Sequence, residues 1–232
     1  MLNGKTFLAI IPARGGSKRL PRKNVLDLAG KPLVAWTIEA AIESKYIDKV
    51  VVSSDDHEIL TVAKEYGAVI LKRPDELAND TSTSFEAVEH AISQNSGFDC
   101  VVLLQATSPL RTTSHIDEAI TSFEDKHADA VISVCEMEHS PLWSNTLPKD
   151  GAMVNFLSHE VLNKRSQDLE SYYRLNGAIY IVTISSLLDE KTFFLEKNVF
   201  SYVMSKNCSV DIDEDIDFYM ADKLMQNKIK VE

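Results

Sequence analysis

Little in this chain points to chemistry at first sight. Its 232 residues include only three cysteines, Cys100, Cys135 and Cys208, odd in number and far apart. Such spacing builds neither a disulfide framework nor a zinc pattern. Cys100 and Cys135 lie in apolar, strand-like runs, where buried, reduced thiols are expected, and a cytoplasmic location fits. No run of 18 apolar residues occurs, and the first apolar run stops at Pro12 and Arg14, so neither a membrane span nor a signal peptide is expected. Cations are in deficit: 24 Lys and Arg against 35 Asp and Glu leave a net charge of −11, which argues against a nucleic-acid partner. No Ser-His-Asp or Cys-His nucleophile pattern is present, and His57 and His139 have no partners at metal-binding spacing. Repeats and low-complexity segments are missing too.

What remains is a chain with enough apolar residues, 44%, for a sizeable core. Its length suits one domain spanning 1–232. Apolar, β-branched runs at 7–11, 49–53, 69–71, 100–104 and 130–135 alternate with helical patterns at 32–44, 58–66, 85–93 and 114–126. Continuous apolar strands between amphipathic helices predict an α/β, Rossmann-like, mostly parallel sheet with helices on both faces. Asp55-Asp56 and Thr112-Thr113-Ser114 mark helix N-termini. From Glu136 to about Tyr173 the helical period fades, and this stretch reads as a small inserted lobe, extended or hairpin-like. The parallel-sheet signal returns at 177–182, 200–204 and 208–210, and a last helix covers 214–226.

Within that frame the densest signal comes just after the first strand. Arg14-Gly-Gly-Ser-Lys-Arg-Leu-Pro-Arg-Lys-Asn24 joins paired glycines to five cations, Arg14, Lys18, Arg19, Arg22 and Lys23. Bare Gly15 and Gly16 let backbone N–H groups approach an anion, and the cations can neutralise it. The pattern is neither a Walker A loop nor the G-x-G-x-x-G fingerprint. A solvated basic loop after an edge strand is the plainer alternative. In an acidic protein, one basic loop fits a small polyphosphate better than a polyanionic surface.

The opposite charge gathers at Asp211–Asp217, five acids in seven residues. In extended chain Asp211 and Asp213 point to the same side and can offer two carboxylates to Mg²⁺ alongside phosphate oxygens. Equally, Asp213 can cap the last helix, with Glu214, Asp215 and Asp217 complementing its dipole. Gln105 and Arg111 lie just past another strand and can meet a sugar edge and an anion, or belong to a turn and a surface arginine. Asp80-Thr-Ser-Thr-Ser84 opens a helix, where the hydroxyls cap or bind substrate. Arg73 lies just past a strand, within reach of a phosphate, and Phe193-Phe194 suits a core or a dimer surface better than a ligand contact.

Taken in order, Ala13–Asn24, Arg73-Pro-Asp-Glu-Leu-Ala78, Leu104–Arg111, Tyr173-Arg-Leu-Asn-Gly-Ala-Ile-Tyr180 and Val210-Asp-Ile-Asp213 resemble the CMP-sialic acid synthetases, or acylneuraminate cytidylyltransferases. The resemblance runs from residue 7 to about 225. It implies transfer of CMP from CTP to the anomeric hydroxyl of a nine-carbon α-keto acid sugar, with release of pyrophosphate. Arg14, Gly15, Gly16, Ser17, Lys23 and Asn24 would cradle the nucleotide, with Arg73 and Ser82 beside it and Asp211 and Asp213 on Mg²⁺. Arg14, Lys23 and Asp211 would carry the chemistry. Gln105, Arg111, Arg174, Asn176 and Tyr180 would face the sugar, with Phe193 and Phe194 nearby. The resemblance further implies a homodimer whose inserted lobe, here 136–173, reaches over the neighbouring site. Three departures bear on the sugar: Arg19 where some members have glycine, Trp143 where several have lysine, and Ser166 after Arg165 where many bacterial members have a second arginine. The Ser140–Trp143 and Asn145–Pro148 stretches look most like relatives that activate bacterial nonulosonic acids such as legionaminic acid. A 3-deoxy-manno-octulosonate cytidylyltransferase and a non-catalytic nucleotide-binding protein are the alternatives.

Overall fold

The computed structural model describes residues 1–229, with side chains through residue 227. Its centre is β1 (Phe7–Pro12), in which Phe7 through Ile11 are entirely buried. A strand apolar on both faces is stable only inside a sheet covered on both sides. Phe7, Ala9 and Ile11 pack toward α1 (Leu33–Ile42), α2 (His57–Glu65) and α4 (Thr113–Asp125). Leu8 and Ile10 pack on the other face, toward α3 (Ser84–Ser93) and α5 (Ile184–Glu190). The period-two alternation of one strand thus meets two helical layers, as the apolar pattern predicts.

The remaining strands are the short β2 (Asp27–Leu28) and β3 (Lys31–Pro32), then β4 (Ile47–Ser54), β5 (Val69–Lys72), β6 (Cys100–Leu103), β7 (Ala130–Glu136), β8 (Tyr173–Thr183) and β9 (Val199–Met204); helix α6 spans Asp215–Ile229. The main sheet has the order β5-β4-β1-β6-β8-β7-β9. From β1 the chain moves outward through β4 and β5, then returns to β6 on the other flank of β1. Loops leaving β1 and β6 therefore diverge, and the crevice between them at the strands' carboxyl ends is where sheets of this kind take ligands.

Two sequence expectations need correction. The 177–182 run does not extend the parallel set: β8 is antiparallel to both β6 and β7. An all-apolar strand buried on both faces carries no sign of its direction. The 208–210 run is no strand at all; a single turn, Lys206–Cys208, leads into irregular chain that joins no sheet. Helix α5 has no counterpart in the sequence pattern. Between Glu136 and Tyr173, which pair across the β7–β8 ladder, the chain makes isolated turns at Pro141–Trp143 and Ser166–Asp168 and leaves Leu147, Met153 and Val154 exposed. Among the described residues no helix is long and apolar enough to cross a membrane.

Local capping agrees closely with the sequence. Asp56 caps α2, its Oδ1 accepting from Glu58 N at 2.8 Å and Ile59 N at 3.1 Å, a contribution of about 1 kcal/mol. Thr83 and Glu86 close a reciprocal box on α3. Burial pushes the Cys100 thiol up to about 12, as suits an inert core cysteine.

Candidate active site

Three polar loops meet because three apolar side chains pull them together. Leu20 from the basic loop, Leu110 from the loop after β6 and Ile212 from the acidic segment share one buried cluster with Leu28, Leu33, Ala221 and Met225. Ile212 points inward, so the aspartates on either side of it are directed to the cleft. Ile212 N donates to the Thr107 carbonyl at 2.8 Å, which ties the acidic segment to the β6 loop. Lys23 Nζ closes the arrangement, donating to the Ile212 carbonyl at 2.6 Å and pairing with Asp213 at 3.0 Å. Arg19 reaches the same carboxylate at 3.2 Å. Asp213 is therefore an ion-pair partner of the basic loop and does not cap α6; the Asp217 carboxylate accepts from Asp213 N and Glu214 N instead.

A cavity of about 610 Å³ lies between these loops. Arg14, Ser17, Lys23, Asn24, Arg73, Ser82, Gln105, Asp211 and Asp213, all singled out from the sequence, line it, together with Lys18, Asp80 and Thr107. Burial, helped by the Asp213 charge, pushes the Asp211 carboxyl above the usual range, against a hydrogen bond from Thr107 and the attraction of Lys23. Its Oδ1 is buried with no hydrogen-bond partner among the described residues. Arg73 is only 5% exposed. One of its nitrogens donates to the Ser53 carbonyl at 2.9 Å, and its buried Nε has no partner among the described residues. Burial lowers its pKa, nearby Arg14 adds to the effect, and Asp55 opposes it. A half-buried acid and a buried base, each with a buried polar atom that has no partner among the described residues, thus face one cavity.

The glycine pair works differently from its sequence reading. Gly15 N donates to Asp55 Oδ1 at 3.1 Å, so that N–H serves the fold and not an incoming anion. A Cβ on Gly15 would fall 2.8 Å from Asp56 Cβ, which explains the missing side chain. Gly16 stands in open space. Asn24 is buried, and its amide donates to the Arg14 carbonyl at 3.0 Å, holding the loop's curvature.

Arg111 and Asn176 lie beneath the cleft and not in it. Arg111 is fully buried and donates to Thr37 Oγ1 at 2.7 Å and to the carbonyls of Gln105 and Ala178, both at 3.2 Å. Burial lowers its pKa to about 9. It does not line the cavity, and it is not the surface arginine of the alternative reading. Asn176 accepts from Ser133 Oγ at 2.6 Å and donates to Ser209 Oγ at 3.0 Å, joining β7, β8 and the approach to Asp211. Arg174 pairs with Glu138 at 2.9 Å, away from the cavity. Tyr180 is buried against Phe193 and Phe194, at ring separations of 5.7 and 6.4 Å; Phe193 is buried and Phe194 exposed.

Two residues, one lining the cleft and one beside Gln105 and Asp211, receive no role of their own from the sequence. Asp80 is visible there only as the start of a polar run. Gly177 has φ +73°, and a Cβ there would fall 2.6 Å from Gln105 Oε1 and 3.5 Å from Asp211 Oδ2. Gly177→Ala is expected to cost about 1–3 kcal/mol through backbone strain. It should also lower kcat/KM roughly tenfold by displacing Gln105. A thermal melt and a steady-state assay on the same preparation read both effects.

Comparison with known proteins gives a concordant picture. The sequence model of the family described as cytidylyltransferase matches residues 8–232. The N-acylneuraminate cytidylyltransferase of Escherichia coli is 38% identical over 223 residues, covering 96% of this chain but 52% of that protein, so the chain spans about half the length of this relative. The CMP-N,N'-diacetyllegionaminic acid synthase of Legionella pneumophila is 39% identical, covering 95% of this chain and 96% of its own. Among solved structures, CMP:2-keto-3-deoxy-manno-octonic acid synthetase complexed with CTP superposes with a TM-score of 0.74 at 16% identity, over 97% of this chain and 100% of that one. At that identity the likeness concerns the fold.

Proposed function

Because the chain belongs to the cytidylyltransferase family, we propose that it transfers CMP from CTP to the anomeric hydroxyl of N-acylneuraminate or a related nonulosonic acid, releasing pyrophosphate. One observation carries the reading: Lys23 bonds the Ile212 carbonyl and Asp213, so the cationic loop and the aspartate couplet border one cavity. The relatives' names, an N-acylneuraminate cytidylyltransferase and a CMP-N,N'-diacetyllegionaminic acid synthase, support the class of sugar.

In this reading the triphosphate lies along Arg14, Ser17, Lys23 and Arg73, with Ser82 across the cavity. The sugar hydroxyl forms the new bond to the α-phosphorus as the bond to the bridging oxygen breaks. Charge grows on the departing pyrophosphate, and the loop's cations, already in position, stabilise it without reorganising. Gln105, beside Gly177, holds the acceptor near the couplet, and the Tyr180, Phe193 and Phe194 cluster, outside the cavity lining, is the proposed apolar neighbour of the sugar. Asp211 and Asp213 fit Mg²⁺: Asp211 keeps a buried oxygen without a partner among the described residues, and two carboxylates plus phosphate oxygens are a donor set that this ion favours. Bound there, Mg²⁺ would neutralise phosphate charge.

The 136–173 segment, with its exposed apolar side chains, is the proposed contact of a homodimer, and a cytoplasmic site of action fits the reading. Pyrophosphate release from CTP and Mg²⁺ across a panel of N-acetylneuraminate, legionaminate, pseudaminate and 3-deoxy-manno-octulosonate tests the proposal. Release with a nine-carbon acid is the expected result. Release with the octulosonate alone, or with none of the four, overturns it.

A further inference from the structure

We propose that Asp80 is a built-in competitor for the anion that the basic loop binds, and that it sets how tightly polyphosphate is held there and how readily it is released. The inference rests on the reading of the cleft as a triphosphate site. Asp80 faces the loop from the 75–84 segment on the opposite side of the cavity. Its two oxygens are divided between two cations: Oδ1 lies 3.4 Å from Arg14 Nη1, and Oδ2 pairs with Lys18. Lys18 makes no other ion pair among the described residues. The further contact of Arg14 is the Asn79 carbonyl at 3.4 Å, on the same segment. One anion bridging two cations, one oxygen to each, is the arrangement a phosphate would take between them. Lys18 holds the Asp80 carboxyl below the usual range, so it is ionised at neutral pH.

The segment that carries this carboxylate also has bonds of its own that do not involve those cations. Asn79 Oδ1 accepts from Thr81 N at 2.9 Å and Ser82 N at 3.0 Å, and the Thr83–Glu86 box anchors the first turn of α3. The Asp80 side chain is half exposed, so a stronger anion can turn it out into water. Incoming phosphates thus exchange one set of ion pairs for another. When pyrophosphate leaves, the same carboxylate reclaims Arg14 and Lys18. Exposed pairs are individually weak, so the effect is a few-fold change.

Calorimetric titration of inorganic tripolyphosphate and of CTP, each with Mg²⁺, into wild type, Asp80→Asn and Glu65→Gln tests the idea. The last variant removes the same charge from the exposed far end of α2. At low ionic strength Asp80→Asn should bind both ligands about three- to tenfold more tightly than wild type, and pyrophosphate should inhibit it more strongly. The gain should shrink toward unity near 1 M salt, where the Debye length is about 3 Å. Glu65→Gln should match wild type. Equal or weaker binding by Asp80→Asn, a gain that ignores salt, or the same gain in Glu65→Gln overturns the competitor role. Tripolyphosphate bound without CTP would instead sink the nucleotide reading and leave Asp80 to be judged on tripolyphosphate. If wild type binds neither ligand, both fall.

Discussion

Asp211→Asn should lose at least about a thousandfold in kcat and yet melt at a higher temperature than wild type when no ligand is present. The loss comes from removing a carboxylate that faces the proposed polyphosphate site, where charge placement would do most of the catalytic work. The gain comes from burial. Asp211 Oδ1 has no hydrogen-bond partner among the described residues, and burial holds the carboxyl above its ordinary range. A carboxyl whose folded pKa is raised contributes stability while protonated, below its unfolded pKa, and loses that contribution as pH rises through the folded value. At neutral pH the charge is thus a cost to the ligand-free fold, and the amide removes it. The melting difference should narrow as the solution is acidified, because wild type then becomes neutral there as well. Turnover within tenfold of wild type at saturating Mg²⁺ would take Asp211 out of the chemistry. A lower melting temperature for the variant would show that the carboxylate is satisfied in some other way.

Lys23→Met should cost two to three orders of magnitude in kcat/KM, through both terms. Lys23 is the one cation of the loop that is largely buried, 13% exposed against 66% for Arg19. Its ammonium joins the Ile212 carbonyl to Asp213 and faces the cavity. Replacement by an apolar chain of similar length removes a charge aimed at the phosphates and frees Asp213 from its better-sheltered partner. The lost charged hydrogen bond should destabilise the fold by on the order of 1–2 kcal/mol. Arg19→Met, at the same carboxylate but on the outside, should cost tenfold or less, since exposed pairs are weak. Comparable losses in the two variants would contradict the assignment of Lys23 as the central cation.

The order of the main-sheet strands and helices through residue 136 was legible because those strands carry unbroken apolar runs and the helices between them an apolar face. The two-residue β2 and β3, polar at Asp27 and Lys31, left no such signal. Apolar patterning needs no knowledge of neighbours. The basic loop and the aspartate couplet were legible for a similar reason: charge of one sign, concentrated in a few residues, has few uses in an acidic protein. Direction and depth were not legible. Nothing in Gly177–Val182 distinguishes a parallel from an antiparallel strand, and a guanidinium in sequence looks solvent-seeking until Thr37, Gln105 and Ala178 surround it, as they do at Arg111. Asn176 misled in the same way, since its partners Ser133 and Ser209 lie 43 and 33 positions away. Gly15 kept its place for a steric reason, the closeness of Asp56, that only the fold reveals. The pairing of Asp80 with Arg14 and Lys18 spans more than sixty positions and leaves no local trace.

The greasy knot of Leu20, Leu110 and Ile212 extends to Ala221 and Met225 on the last helix. Neither of those two has a polar group to offer a substrate, and neither borders the cavity. Even so, the helix that bears them is the keel against which three charged loops are trimmed. Truncating Met225 to alanine would therefore loosen the aspartates from behind, and a laboratory seeking to tune turnover has a handle there that no ligand ever touches.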